Sequence, residues 1–157
     1  MNILMGYAGQ NAIRNFELLR KASEKYIQPD LSLKIVASVD KQCIFALHQP
    51  SGFFPLESPF YANDKKYLCM LQGYLWYKSH FPVNETDAKA CVITAADDLL
   101  VNDHIPLSEH DGGLYNYFLF NENSNELFIS NDLSGIFPLY YTLDPKGIFF
   151  SSHIRVL

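Results

Sequence analysis

Three cysteines and five histidines carry the most versatile side-chain chemistry in this chain. The cysteines, Cys43, Cys69 and Cys91, are far apart and form no Cys-x-x-Cys pair, so neither a disulfide framework nor a zinc site is indicated. Each lies among apolar residues, which predicts a buried free thiol. The histidines lack the i, i+4 spacing and the short spacing to carboxylates that are typical of metal ligands. We therefore expect no metal site, and surface or partly buried positions for the histidines, which are His48, His80, His104, His110 and His153.

For two aspartates, a structural role is favoured over a catalytic or substrate-binding role. Asp132 precedes a predicted turn at 133–135, so its carboxylate can accept hydrogen bonds from the turn amides, and Gly135 can supply a positive φ. Asp87 follows Thr86, a predicted helix N-cap, and in the first helical turn its charge complements the helix dipole.

The elements that position these residues follow from hydrophobic periodicity. The predicted strands are 2–8, 32–39, 42–48, 66–76, 113–121, 126–132, 138–143 and 147–152, and the predicted helices are 10–26 and 86–100. Prolines and a glycine predict an irregular stretch at 49–65, and Gln72-Gly73 is expected to interrupt the strand at 66–76. Runs of strands with two intervening helices indicate an α+β fold with antiparallel sheets.

Composition restricts the class of protein. The 157 residues predict one domain, spanning 1–157, and 48% apolar with 18% charged residues is typical of globular proteins. A net charge of −5 with scattered Lys and Arg argues against a nucleic-acid partner.

No membrane helix and no signal peptide are indicated, so we expect a cytoplasmic protein. Because the chain stops at Leu157 directly after a strand, we expect it to be the N-terminal part of a longer protein, and its strand edges are expected to invite partners.

Several stretches, in a fixed order, carry a resemblance to a known family. They are MNILMGYAGQ at 1–10, LQGYLW at 71–76, DGGLYNYFLFN at 111–121, NDLSGIFPLYYTL at 131–143 and IFFSSHIRVL at 148–157. Together they resemble the N-terminal glutaminase domain of the asparagine synthetase family, the class II glutamine amidotransferases. Asp132, Gly135 and Pro138 match the family's Arg-Asp-x-x-Gly-x-x-Pro-Leu-Tyr-Tyr segment. The resemblance implies a four-layer αββα sandwich of the Ntn-hydrolase type, in which the N-terminus enters the active site between two antiparallel sheets.

In that family, loss of the initiator Met exposes a cysteine whose thiolate is the nucleophile and whose α-amine is the base. Asn2 occupies that position here, and a carboxamide cannot form a thioester. Asn is also too bulky for the usual removal of the initiator Met, so the amine stays in a peptide bond. We therefore expect no catalytic residue in this domain and no glutamine hydrolysis.

The rest of the family's site is matched only in part. Gln72 and Gly73 match the Asn-Gly pair of the oxyanion hole, with a side chain that is one methylene longer. Asp87 could match the Asp that holds the substrate amine. The Arg that holds the substrate α-carboxylate has no counterpart in QCIFALHQ at 42–49.

Three functions stay open. The resemblance favours the nucleophile-lacking type found in β-lactam synthetases and lasso-peptide cyclases, in which this domain would support a C-terminal synthetase domain that uses ATP and Mg²⁺. The Ser-Gly-Gly-x-Asp-Ser loop of that domain does not occur here, so no cofactor is expected in this domain. A second interpretation is a stand-alone domain that binds an amino acid or amide through Asn2, Gln72 and Asp87. A third is a hydrolase with Cys69 as nucleophile, although burial in a strand raises the pKa of a thiol.

Overall fold

The computed structural model of the protein describes residues 3–28, 31–50, 58–62, 66–78, 83–102 and 111–157. Within these ranges the chain forms two antiparallel sheets and two α-helices, so the predicted α+β class is confirmed. No helix in the described ranges is both long enough and apolar enough to cross a membrane.

The first sheet, sheet A, has five strands. They are β1 (Ile3–Gly9), β2 (Leu31–Ala37), β3 (Cys43–Pro50), β8 (Tyr140–Asp144) and β9 (Gly147–Ser151). Their order is β2-β3-β1-β9-β8, so β1 lies in the centre and β2 and β8 form the edges. The central strand is consequently buried on both faces from Ile3 to Ala8.

The second sheet, sheet B, has four strands in sequence order. They are β4 (Phe60–Ala62), β5 (Tyr67–Trp76), β6 (Gly112–Asn121) and β7 (Glu126–Asn131). β5 and β6 pair without a break from Tyr67↔Asn121 to Trp76↔Gly112. The predicted interruption at Gln72-Gly73 is therefore wrong, because the sheet accommodates the positive φ of Gly73 inside the ladder.

Two helices cover the outer faces of the sheets. They are α1 (Ala12–Ser23) and α2 (Glu85–Asn102), and a short 3-10 helix follows at Ile154–Val156. The predicted N-cap at Thr86 is wrong, since the Asn84 side-chain Oδ1 accepts the Asp87 N–H at 2.9 Å. Asn is as good a capping residue as Thr, and it lies two residues earlier.

Three buried apolar clusters separate four layers. The cluster between α1 and sheet A includes Phe16, Ile44 and Val156. The cluster between the two sheets includes Leu4, Phe45, Met70, Phe118 and Phe150. The cluster between sheet B and α2 includes Leu71, Val92 and Tyr117. The order of the layers is therefore α1, sheet A, sheet B and α2, as the resemblance implied.

Other differences from the predicted elements are small. The predicted irregular stretch at 49–65 contains the three-residue strand β4, and its parts at 51–57 and 63–65 lie outside the described residues. The first helix is shorter than the predicted 10–26, because Asn11 takes a left-handed conformation with φ 57° and the helix begins only after it.

Candidate functional site

A row of three carboxamides crosses sheet B on the face that points toward sheet A. Gln72 of β5 pairs with Asn116 of β6, and Asn116 pairs with Asn131 of β7. Side chains alternate along a strand, and Met70 and Phe118, two residues from Gln72 and Asn116, lie in the inter-sheet core. The carboxamide row therefore shares the inter-sheet face, and it is buried at Gln72 and Asn116 and exposed at Asn131.

The buried end of the carboxamide row is a hydrogen-bonded amide pair. Asn116 Nδ2 donates to Gln72 Oε1 at 3.0 Å. Asn116 Oδ1 is completely buried and has no hydrogen-bond partner. A buried acceptor without a donor costs about 1 to 3 kcal/mol. The pair therefore holds an unused acceptor between the sheets. The sequence patterns did not single out Asn116, although its place two residues before Phe118 in a predicted strand put both side chains on the same face.

Gly73 allows two strands to approach each other closely beside this pair. Its φ is +97°, and a Cβ at this position would lie 2.0 Å from the Leu114 carbonyl oxygen and 2.7 Å from the Phe137 ring. No side chain fits such a contact without a movement of the backbone. Gln72-Gly73 is therefore a fixed structural unit whose glycine is required by the fold itself.

β1 begins at the end of the sandwich toward which β5 runs. β1 runs toward the β2–β3 turn, and β5 starts beside the β6–β7 turn. The Val39 N–H donates to the Glu122 carboxylate at 3.0 Å and so joins these two turns. Since β1 runs toward this junction and β5 runs away from it, Ile3 and the Trp76 end of β5 lie at the other end, and Gln72 lies near the middle of β5. Asn2, the residue predicted at the nucleophile position, lies outside the described residues.

The turn after β7 is held by the Asp132 carboxylate. Its Oδ1 accepts the N–H groups of Ser134 at 2.8 Å and Gly135 at 3.0 Å, the two hydrogen bonds that the sequence predicts, and its Oδ2 accepts the Tyr115 N–H at 3.0 Å. Burial raises the pKa of Asp132, but hydrogen bonds from the Ser134 hydroxyl and from the backbone outweigh that effect and lower the pKa below its ordinary value. Gly135 has a φ of +61°, so the predicted positive φ is present.

A cavity of about 480 Å³ opens beside this turn. It is lined by Ile129, Asn131, Gly135, Phe137, Pro138, Leu139, Tyr141 and Ile148. Asn131 brings the exposed end of the carboxamide row to the cavity, and Phe137 is the residue that contacts Gly73. The volume is within the range of small-molecule sites. A larger groove, of about 740 Å³, lies at the start of α1 and contains no residue of the row.

A comparison with known families agrees with this arrangement. The sequence model of a glutamine amidotransferase domain matches residues 57–157, which is more than half of the chain and includes β5, β6 and the Asp132 turn. This chain belongs to the glutamine amidotransferase domain family. Among curated proteins no match was found.

No cysteine of this glutamine amidotransferase domain is exposed. Cys43, Cys69 and Cys91 are all buried, and burial raises the pKa of each thiol, that of Cys69 to about 12. Cys69 belongs to the core between sheet B and α2, where its Sγ lies 4.0 Å from the Tyr117 hydroxyl oxygen. Its side chain is therefore on the opposite face of β5 from Gln72, and it does not contribute to the carboxamide row.

Asp87 of the glutamine amidotransferase domain lies in the first turn of α2. Its carboxylate therefore complements the helix dipole. α2 packs on the outer face of sheet B, whereas Gln72 lies on the inner face. The described elements thus do not bring Asp87 and Gln72 onto one surface, and a role of Asp87 in holding a substrate amine stays a prediction.

Of the two histidines that the structure describes, His48 is buried, contrary to the predicted surface or partly buried position, and His80, His104 and His110 lie outside the described residues. His48 of β3 is 3% exposed, and neither ring nitrogen has a hydrogen-bond partner. It pairs with Ile3 in register, on the face of sheet A that α1 covers. Burial lowers the pKa of His48, since the apolar surroundings disfavour the charged ring. The alternation of Ile44, Ala46 and His48 could have revealed this burial from the sequence.

The lowered pKa of His48 predicts a loss of stability in mild acid. The unfolded chain binds a proton below about pH 6.5, whereas the folded chain binds it only at a lower pH, so the free energy of unfolding falls as the pH drops below about 6.5. Urea unfolding at neutral pH and in mild acid measures this slope. His48→Leu is expected to flatten it, and an unchanged slope in that variant would assign the effect to other groups.

Within the described ranges, no group of three or more His, Cys, Asp or Glu side chains is placed to hold a metal ion.

Proposed function

We propose that this glutamine amidotransferase domain does not hydrolyse glutamine. The observation that supports the proposal is the state of the thiols. The chain has three cysteines, all three are buried with raised pKa values, and the residue after the initiator Met is Asn2. Glutaminase chemistry of this type requires an accessible thiol next to a base. The base removes the proton of the thiol, and the resulting thiolate is the nucleophile.

The geometry around Gln72 adds support. An oxyanion hole needs an amide donor that is fixed in the right position for the developing charge. Gln72 is fixed, but through its Oε1, which accepts a hydrogen bond from Asn116 Nδ2 inside the sandwich, and its side chain is one methylene longer than the Asn of the family pattern. A displacement of about one ångström is enough to reduce such catalysis strongly.

The function that follows is support of a separate catalytic unit. In this proposal the domain packs against an asparagine synthase-related synthetase domain that forms an amide bond with ATP and Mg²⁺ and takes its amine directly from the substrate. Free ammonia is then unnecessary, and a domain without a nucleophile suffices. Neither ATP nor Mg²⁺ is expected to bind to this chain, because it lacks the Gly-rich phosphate loop.

Glutamine hydrolysis by the purified protein is the direct test. We expect release of glutamate and ammonia to stay at the level of buffer alone, because no described thiol can attack the amide. An active glutaminase in the same assay is the control. Turnover that depends on protein concentration would contradict the proposal, and turnover that survives Asn2→Ala would show that the site lies elsewhere.

Thiol labelling tests the supporting observation separately. A disulfide reagent such as Ellman's is expected to react slowly with the native protein and rapidly with all three cysteines in urea, since only unfolding exposes them. One cysteine that reacts at once under native conditions would remove the basis of the proposal.

A second function is favoured by one feature, the unpartnered Asn116 Oδ1. In a domain that binds an amino acid or amide, the amine or amide N–H of the ligand would be the donor that Asn116 Oδ1 lacks. A thermal-shift screen discriminates the two functions, because a ligand that binds only the folded state raises the melting temperature. A rise with one amino acid or amide that disappears in Asn116→Leu would favour this second function.

A further inference from the structure

Within the part of the chain that the structure describes, β8 is an exposed edge strand without the usual protection. It is the last strand of sheet A, its one neighbour among the described strands is β9, and all five of its residues are exposed. Tyr141 and Leu143 are 63% and 73% exposed. Protein edge strands are usually protected by Lys, Pro, a bulge or a covering segment. Within β8 the sequence YYTLD contains neither Lys nor Pro.

The stretch that leads into β8, and β8 itself as far as Leu143, carry no charge. From Leu133 to Leu143 the sequence contains no Asp, Glu, Lys or Arg. Leu133 and Ile136 in this stretch are 102% and 57% exposed. An apolar, uncharged surface of this kind next to an unpaired strand edge is characteristic of a protein contact.

A groove lies on each face of this edge. Tyr141 pairs with Phe150 of the inter-sheet core, and on that side lies the 480 Å³ cavity that Tyr141 and Ile148 line. Thr142 pairs with Phe149, which packs against the α1 side of sheet A. On that side a groove of about 500 Å³ is lined by Leu139, Tyr140, Tyr141, Thr142, Ile154 and Leu157. None of the described residues that line the two grooves has a charged side chain. A strand added at β8 would place alternate side chains beside the two grooves.

We propose that the occupant of this edge is β8 of a second copy of the chain. The two strands pair antiparallel about a two-fold axis at Thr142, so that the sheets A of two protomers form one continuous ten-stranded sheet. Antiparallel pairing about an axis perpendicular to the sheet keeps the inter-sheet faces of both protomers on the same side. The proposal is independent of whether the domain hydrolyses glutamine.

The strand is complementary to itself in this arrangement. The register centred on Thr142 is the one that pairs all five residues of β8. It places Tyr141 opposite Leu143 of the second copy, Tyr140 opposite Asp144, and Thr142 opposite Thr142. Apolar side chains then meet each other, and Asp144, the one charged residue of β8, does not face its own copy.

Sedimentation velocity over a ~100-fold range of protein concentration tests the dimer, since association shifts with concentration by mass action. We expect the mean mass to rise from that of the 18.0 kDa chain toward twice that value. Thr142→Lys and Thr142→Glu each place like charges opposite each other on the two-fold axis, so each variant alone is expected to stay monomeric. An equimolar mixture of the two variants is expected to form a heterodimer.

The controls separate a lost interface from a lost fold. Val39→Lys adds the same charge at a 69% exposed position in the β2–β3 turn and is expected to dimerise like the parent protein. Far-UV circular dichroism and the melting temperature of the monomeric variants should match those of the parent monomer. Hydrogen exchange should show protection of the β8 amides that rises with protein concentration.

Three outcomes would overturn the proposal. They are a parent protein that is monomeric at every concentration, a dimer that persists in both charged variants, and a mixture of the two variants that stays monomeric. The second would place the interface on another surface, and the third would exclude the register centred on Thr142.

Discussion

Replacing Gly73 by alanine is expected to destabilise the protein by about 2 to 5 kcal/mol, the sum of an unfavourable positive φ and an overpacked contact. The φ of +97° is one that residues with a Cβ rarely adopt, and the added Cβ would lie 2.0 Å from the Leu114 carbonyl oxygen. β5 and β6 would have to move apart at the position where the carboxamide row crosses them. Urea unfolding followed by far-UV circular dichroism measures the free energy of unfolding.

Gly135→Ala is the matched control for this prediction. Gly135 also has a positive φ, of +61°, but a Cβ there would meet no atom within 4 Å. Its substitution is therefore expected to cost only about 1 to 2 kcal/mol, the conformational term alone. Equal losses in the two variants would show that the close approach of Leu114 to Gly73 is not what makes glycine necessary.

Replacing Phe118 by alanine is the second large effect, with an expected loss of about 3 to 5 kcal/mol. Phe118 is completely buried between the sheets, and its ring stacks on Phe150 with centroids 4.8 Å apart and lies 6.0 Å from the Phe45 ring. The truncation removes these contacts and leaves a cavity in the layer that joins sheet A to sheet B. Cooperative urea unfolding gives the difference in free energy.

Two further variants show whether this loss is specific. Phe118→Leu keeps most of the side-chain volume and is expected to cost less than Phe118→Ala, about 1 to 1.5 kcal/mol. Leu133→Ala alters a side chain that is 102% exposed and should change stability by no more than about 0.5 kcal/mol. A loss in Phe118→Ala no larger than in Leu133→Ala would mean that the sheets are not held together by this aromatic cluster.

The two predictions concern neighbouring parts of one structure. Phe118 follows Asn116 on the inter-sheet face of β6, and Gly73 follows Gln72 on β5. The buried amide pair of Gln72 and Asn116 therefore lies between the aromatic core around Phe118 and the close contact of Gly73 with Leu114, where only glycine fits. This arrangement fixes the position of the Gln72 amide through the fold itself.

Much of the architecture could be predicted from local patterns. Alternation of apolar residues located the strands, helical spacing located α1 and α2, and the Asp132 turn was predicted with its hydrogen bonds and its positive φ. These features depend on residues close together in the chain, so the sequence contains the required information. The N-cap was misplaced because Asn84 and Thr86 are both good capping residues, and only the path of the chain into α2 selects between them.

Tertiary structure alone decided the chemistry around these elements. Alternation shows that Cys69 and Gln72 lie on opposite faces of β5, but not which face meets α2 and which meets sheet A. Likewise, the hydrogen bond from Asn116 to Gln72 depends on the register of two strands that are 44 residues apart in sequence. The pairing of distant strands also made β8 an edge and left His48 without a partner. Periodicity specifies which side chains share a face, whereas the neighbours of that face are set by layer order and register, which many distant contacts determine together.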